Sequence, residues 1–253
     1  MKDNQDTPAE KTLTFWEHLD ELRAVIIKAI VAIVLLAAVA FCFKDLLFDV
    51  VLAPRTGDFV SYRLLGIEPF SLHLMNTGLT EQFMIHMKTA MTVGVLLAAP
   101  YIIWLLYRYV SPALYPNERR YATAIVGSAY VMFMLGVVVT YFLVFPLTVR
   151  FLGTYQVSAV VDNMLTVQSY VDTLLMLCLL MGIVFELPVL CWILARAGIV
   201  DARMMSRYRR HVIVAILIVA AFITPTTDVF TLFVVSLPIW LLYELSILMV
   251  RKH

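Results

Sequence analysis

Three glutamates stand at positions where a carboxylate is either unusual or well placed for binding. Glu186 interrupts the apolar stretch LMGIVFELPVLCW, and Pro188 follows two positions later. Glu21 lies in TFWEHLDELR, and Glu118 is the single acid of the arginine-rich segment SPALYPNERR. Carboxylates bind guanidinium groups, hold protons and accept hydrogen bonds. All three are therefore candidates for binding or proton chemistry.

The composition indicates what surrounds these carboxylates. The chain has 253 residues, of which 62% are hydrophobic and 15% are charged. Soluble domains average about 45–50% apolar and about 25% charged residues. One water-facing globule cannot bury so much apolar surface, so the sequence predicts an integral membrane protein.

Six apolar segments are expected to position the carboxylates. They cover residues 24–43, 83–107, 121–145, 171–195, 212–223 and 229–250. A helix needs about 20 residues to cross about 30 Å of hydrocarbon, and the fifth segment reaches only about 18 Å. It must extend into its polar flanks or thin the bilayer, or form a re-entrant hairpin with the sixth. The predicted fold is all-α and polytopic, with six transmembrane helices.

The distribution of lysine and arginine predicts the orientation. Under the six-span arrangement, thirteen of these residues lie on one side, four lie on the other, and two lie within spans. Positive charge accumulates on the cytoplasmic side, so both termini are expected in the cytoplasm. We expect one transmembrane domain over residues 1–253, with a cytoplasmic tail at 1–13 and a long outer loop at 44–82. The apolar piece LLFDVVL in that loop predicts a short interfacial helix.

The sequence lacks the motifs that are typical of several function classes. The sequence contains no GxxxxGK[ST], no GxGxxG after a strand and no HExxH. The three cysteines lie inside apolar runs without a CxxC pair, so neither a metal site nor a disulfide is indicated. No nucleophile and base are placed as a catalytic pair. We predict no cofactor, no metal, no nucleic-acid binding and no enzymatic activity.

Residue chemistry alone leaves the roles of Glu21 and Glu118 open. His18 and Glu21 are three positions apart and share a helical face at the membrane surface. Glu21 could equally be a solvated charge or a partner of Arg23. Glu118 falls in the predicted first turn of the third span, where the helix dipole favours negative charge by about 0.3–1 kcal/mol.

A set of motifs in fixed order resembles the TatC family, the polytopic core of the twin-arginine translocase. The motifs are HLDELR, EQFMIHMK, SPALYPNERR, FELPVL, RYRRH, TPTTD and LPIWLLYEL, and they span about residues 15–248. One position departs from the family pattern, because Val25 stands where a second basic residue is frequent. The resemblance implies a bacterial cytoplasmic membrane protein that recognises twin-arginine signal peptides on folded cargo.

The resemblance also implies residue roles and partners. Glu21 and Glu118 match the positions that recognise the arginine pair, with His18 and Arg23 as supporting motif members. Arginine offers a planar fork of donors that a carboxylate accepts bidentately, whereas lysine does not. The implied partners are TatA-type single-span subunits, membrane lipid and further copies of the chain in the complex. A separate TatB-type subunit is an open alternative.

Glu186 is implied to be an intramembrane docking point for TatA-type subunits. A charged carboxylate in hydrocarbon costs at least about 2.5–3.5 kcal/mol on insertion scales. The group should therefore be protonated, hydrated or paired. Pro188 removes a backbone hydrogen bond and permits a kink that helps water to reach it. The alternative is a packing hydrogen bond between helices of one subunit.

The remaining motif residues are expected to be structural. Glu244 is interpreted as a member of a stabilising pair in the sixth span, and Lys88 and Glu81 match the family without an assigned role. The tight outer turn is attributed to three residues, Thr224, Pro225 and Asp228. The competing function is a proton-coupled secondary transporter, with Glu186 and Lys88 as the relay. The lack of an internal repeat counts against it.

Overall fold

A computed structural model describes residues 15–64, 66, 72–110, 122–155, 165–224 and 228–251, and these are almost entirely helical. The helices in chain order are α1 (Phe15–Phe41), α2 (Lys44–Leu52), α3 (Val60–Leu64), α4 (Glu81–Val110), α5 (Ala122–Val139), α6 (Phe145–Thr154), α7 (Val167–Val184), α8 (Leu187–Arg196), α9 (Ala202–Arg207), α10 (Arg209–Ile223) and α11 (Val229–Arg251). A 3-10 turn covers Ala53–Arg55, and a π-helical turn, Thr140–Val144, joins α5 to α6.

Within the described residues, five helical stretches are long and apolar enough to cross a membrane. They are His18–Phe41, Glu81–Tyr109, Ile125–Thr154, Val167–Arg196 and Val229–Arg251. They correspond to the first four predicted spans and the sixth. The third span contains the π-helical turn, and the fourth is broken between α7 and α8.

Helix α10 corresponds to the short fifth span predicted from the sequence. It begins at Arg209, three residues before the predicted start, and has 15 residues, which reach about 22 Å. It packs antiparallel to α11, with Arg209 against Glu244 at one end and Ile223 close in sequence to Val229 at the other. Helix α10 is continuous but is not among the five stretches that are long and apolar enough to cross a membrane, so the re-entrant hairpin stays the alternative.

Helices α1 and α4 form an antiparallel pair. A Cβ on Gly94 would lie 2.8 Å from the Cβ of Ala37, so the glycine allows the two backbones to approach closely. Near the outer end, the ring of Phe41 stacks on the imidazole of His86 at 3.9 Å. The rest of α1 exposes large apolar side chains, such as Leu35 and Val39, as expected for a lipid-facing surface.

The main core is built around α7. Its Val171, Leu177 and Met181 are completely buried, and α4, α5 and α10 pack against this helix. A Cβ on Gly136 of α5 would lie 2.8 Å from the Cβ of Phe185. The close approach of α5 therefore occurs at the break between α7 and α8.

The long connection between α1 and α4 folds over the ends of the spans. The segment LLFDVVL lies in α2, which confirms the predicted short helix. Tyr62 of α3 is completely buried, and its hydroxyl donates to the carbonyl oxygens of Pro54 and Pro146 at 2.9 and 3.3 Å. A two-residue parallel pairing of β1 (Leu74–Met75) with β2 (Leu165–Thr166) adds a small sheet to the otherwise helical fold.

Candidate functional site

The first site lies where the beginning of α1 meets the end of α4. The imidazole of His18 stacks on the ring of Tyr109 with centroids 4.4 Å apart and planes 16° from parallel. On α4, the guanidinium of Arg108 lies 5.7 Å from the ring centroid of Trp104. This end of the bundle therefore combines aromatic faces with positive charge.

Glu21 lies one helical turn beyond His18 on α1 and is half-buried. Its carboxylate makes no hydrogen bond or ion pair with any described residue, so the pair with Arg23 considered from the sequence is not formed. Arg23 is exposed. The Glu21 carboxylate is thus available to an external cation.

Glu118 lies outside the described residues, in the connection between α4 and α5. That connection starts after Val110, the residue that follows Tyr109. Because His18 stacks on Tyr109, the chain leaves α4 beside the turn of α1 that carries Glu21. The contact between α1 and α4 brings together two parts of the sequence that are distant along the chain.

Glu186 occupies the break between α7 and α8. The break follows from Pro188, which has no backbone N–H for the carbonyl of Val184. The Glu186 side chain is half-buried, and its Oε1 atom is buried without a hydrogen-bond partner among the described residues. Such an atom in a packed interior is unfavourable unless water, a proton or a partner group satisfies it.

Lys88 pairs with a residue that the sequence analysis did not single out. Its Nζ atom lies 2.8 Å from both Oδ1 and Oδ2 of Asp172 on α7. Both side chains are exposed at the surface of the bundle. Asp172 stands at the start of the fourth apolar segment, and an acid at such a position indicates a partner for a lysine in another span.

Glu81 joins the starts of α4 and α7. Its Oε2 atom accepts from the backbone N–H groups of Thr77 and Gly78 at 2.9 and 2.7 Å, and its Oε1 accepts from that of Gln168 at 3.3 Å. The residue is 6% exposed. Glu81 is therefore a buried cap shared by two helices.

Helices α9, α10 and α11 meet at the end of the bundle that carries the many arginines. Arg209 Nη2 lies 2.8 Å from Glu244 Oε2, and the hydroxyl of Tyr243 donates to the carbonyl of Met205 at 2.8 Å. Glu244 thus makes a pair inside the fold, as its sequence position indicated.

The outer turn between α10 and α11 is held by backbone capping. The hydroxyl of Thr224 donates to the carbonyl of Ala220 at 2.9 Å. The carboxylate of Asp228 accepts from the N–H of Thr231 at 2.7 Å, which is the N-cap geometry. Pro225 lies outside the described residues.

No described residues form a metal site, since no group of three or more His, Cys, Asp or Glu among them could hold an ion. Lys88 and Glu186 also fail to form a relay. Lys88 contacts Asp172, which is about 21 Å from Glu186 along the helix at 1.5 Å per residue. The geometry therefore supports two separate polar sites within an apolar scaffold.

Comparison with known proteins agrees with this arrangement. Residues 17–238 match the family described as Sec-independent protein translocase protein (TatC). A protein named Sec-independent protein translocase protein TatC in Carboxydothermus hydrogenoformans is 31% identical over 242 residues, which are 96% of this chain and 94% of that protein. The corresponding protein of Koribacter versatilis is 35% identical over 239 residues, covering 94% and 85% of the two chains.

The fold matches a solved structure as well. A crystal structure of the twin arginine translocase receptor TatC superposes with a TM-score of 0.79 at 31% identity, covering 93% of this chain and 98% of that one. A second crystal structure of this receptor, in dodecyl maltoside (DDM), gives a TM-score of 0.79 at 29% identity. Family match, full-length relatives and fold agree, and this chain belongs to the TatC family of six-span, multi-pass proteins of the bacterial inner membrane.

Proposed function

We propose that this chain is the signal-peptide receptor and polytopic core of a twin-arginine translocase, which exports folded proteins. The relatives are named as Sec-independent translocase proteins, and the matching crystal structure is of a twin arginine translocase receptor. A translocase component binds and conducts its cargo and is not an enzyme, in agreement with the function class that the sequence predicted.

The observation that carries the proposal is the stacking of His18 on Tyr109. This contact joins the start of α1 to the end of α4. It brings the segment that contains Glu21 to the end of α4, and the connection that contains Glu118 follows that end along the chain. We expect the carboxylates of Glu21 and Glu118 to act together on two adjacent guanidinium groups.

The chemistry of Glu21 fits an arginine ligand. The carboxylate is half-buried and has no partner among the described residues. A guanidinium fork donates two parallel hydrogen bonds to such a group, which lysine cannot reproduce. His18 holds the turn of α1 through its stack on Tyr109, and Arg23 is proposed only as a supporting member of the motif.

We expect the site to face the cytoplasm. The start of α1, the end of α4 and the arginines of α9 and α10 are expected on one side by the positive-inside rule. Signal peptides are made in the cytoplasm, so a receptor site is required there. The apolar part of the signal peptide would then lie against the spans.

Glu186 is the proposed docking point for TatA-type subunits, with TatB-type subunits as the alternative occupant. Its unsatisfied Oε1 atom gains a hydrogen bond when a polar group of a partner helix approaches. The break at Pro188 keeps this segment from forming a continuous helix, and the half-buried side chain of Glu186 lies at that break.

A binding measurement in nanodiscs tests the receptor site. The affinity of an Arg-Arg signal peptide is compared for the wild type, Glu21→Gln and Glu118→Gln, with Asp20→Asn as the matched control on α1. Loss of one charge-assisted contact of about 1.5–3 kcal/mol should weaken binding on the order of tenfold or more. The control should bind like the wild type.

A Lys-Lys peptide separates geometry from charge. The wild type should bind it more weakly than the Arg-Arg peptide, and the glutamate variants should lose little further affinity, because the bidentate contact is already missing. If both variants bind the Arg-Arg peptide as tightly as the wild type, the two carboxylates are ordinary interfacial charges.

A further inference from the structure

A groove of about 570 Å³ runs along the outside of the bundle. It lies between α5 and α8, and the last turns of α11 close one side. Its lining includes Gly127, Val131, Pro188, Trp192, Arg196 and Met249. Neither the receptor site at α1 nor Glu186 belongs to this lining.

The groove exists because α5 has a glycine, and so no side chain, at one of the positions that line it. A Cβ on Gly127 would meet no atom within 4 Å, so the glycine leaves open space where another residue would place a side chain. Val131, one turn further along α5, is 63% exposed. The groove is therefore accessible from the surrounding membrane.

The length of the groove corresponds to one leaflet. Along α8, Pro188 and Arg196 are about 12 Å apart at 1.5 Å per residue. Pro188 follows the break in the middle of the fourth span, and Arg196 is the last residue of α8. Half of the hydrocarbon core is about 15 Å thick. The groove thus reaches from the membrane interior to the interface.

Positive charge lies only at the interfacial end. Arg196 is the one charged residue among the described residues that line the groove, and its guanidinium lies 4.7 Å from the ring centroid of Trp192. Stacking on the indole holds the guanidinium at the mouth and leaves its edge free to donate hydrogen bonds. An acyl chain along the groove would place its phosphate at this edge.

We propose that this groove binds one anionic phospholipid, with an acyl chain against Gly127 and Val131 and the phosphate at Arg196. Basic pockets between transmembrane helices on the cytoplasmic side recognise such headgroups. A transmembrane partner helix would need a surface across both leaflets, and this groove covers one. A free phosphate ion would make no use of its apolar floor.

Native mass spectrometry of the detergent-purified chain tests the proposal. The protein is titrated with phosphatidylglycerol and, in parallel, with phosphatidylcholine, and the first binding event is quantified. Arg196→Gln should weaken phosphatidylglycerol binding on the order of tenfold and weaken phosphatidylcholine binding less, because the choline cation already offsets the charge of that lipid's phosphate. Gly127→Leu fills the groove and should weaken binding of both lipids.

Arg203→Gln is the matched control, because Arg203 is an exposed arginine on α9 that does not line the groove. It should bind both lipids like the wild type. Thermal unfolding without added lipid should be equal for all variants, which separates lipid binding from folding. Equal affinity of the wild type for both lipids, or an unchanged Arg196→Gln, would overturn the headgroup assignment. If Gly127→Leu bound both lipids like the wild type, the groove would not be the lipid site. If a single-span helix competed with the lipid, the occupant would be a protein instead.

Discussion

Lys88 of α4 and Asp172 of α7 form an ion pair within the apolar part of the bundle, with Nζ 2.8 Å from both carboxylate oxygens. The pair is exposed at the surface of the bundle, toward the starts of both helices. Lys88 is therefore engaged far from Glu186. A proton relay between Lys88 and Glu186, which a secondary transporter would require, has no geometric basis.

The loss of Lys88 and the loss of Asp172 should lower the stability of the protein by different amounts. Lys88→Met leaves a short carboxylate in hydrocarbon, whereas Asp172→Asn leaves a lysine whose long side chain can extend to the interface. We expect Lys88→Met to lower the melting temperature in nanodiscs more than Asp172→Asn does. The double variant Lys88→Met/Asp172→Asn should regain much of the loss, because no unpaired charge remains. Additive losses in the double variant would show that the two charges act independently.

Glu186 should be needed for recruitment and not for folding. Glu186→Ala is expected to insert, to remain stable and to bind the signal peptide, while TatA-type subunits are no longer recruited and export falls. Glu186→Gln keeps the hydrogen-bonding capacity without charge, so it should retain more export if the working form is protonated. Co-purification of the subunits and export of a folded reporter are the measurements. Degradation of Glu186→Ala would instead indicate a packing role.

The topology can be read with reporter fusions. Fusions at Asn117 and Arg207 should report cytoplasm, and fusions at Gly57 and Asp162 should report the outer side, because thirteen basic residues fall on the first side and four on the second. An outer signal at Arg207 would mean that α10 does not cross the membrane.

Glu81 should contribute to the stability of the fold and not to signal-peptide binding. Its carboxylate accepts three backbone N–H groups from two regions of the chain, and hydrogen bonds to a charged acceptor are stronger than those between neutral groups. Glu81→Gln should lower the melting temperature, and Glu81→Ala should lower it further. Gln82→Ala, at the neighbouring exposed position, is the control. Signal-peptide affinity should change little, since the proposed receptor site lies at the other end of α4.

Most of the helical architecture could be predicted, because the hydrocarbon core of a bilayer restricts which sequences can cross it and in which conformation. Apolar runs of about 20 residues must become helices, since backbone groups find no other partners in hydrocarbon. The family motifs were equally readable along the chain. Exact helix ends were less predictable, as the start of α10 at Arg209 shows, because helices extend into polar flanks when the span is short.

The sequence by itself determined the membrane class, the number of spans and the anomaly of a glutamate next to Pro188. Only the tertiary structure decided which distant residues meet. His18 reaches Tyr109, Lys88 reaches Asp172, and Glu81 reaches the N–H of Gln168. The physical reason is that lipid drives each helix to form on its own, whereas side-chain pairing depends on how those helices rotate and approach. Close contacts such as that of Gly94 with Ala37 determine that approach.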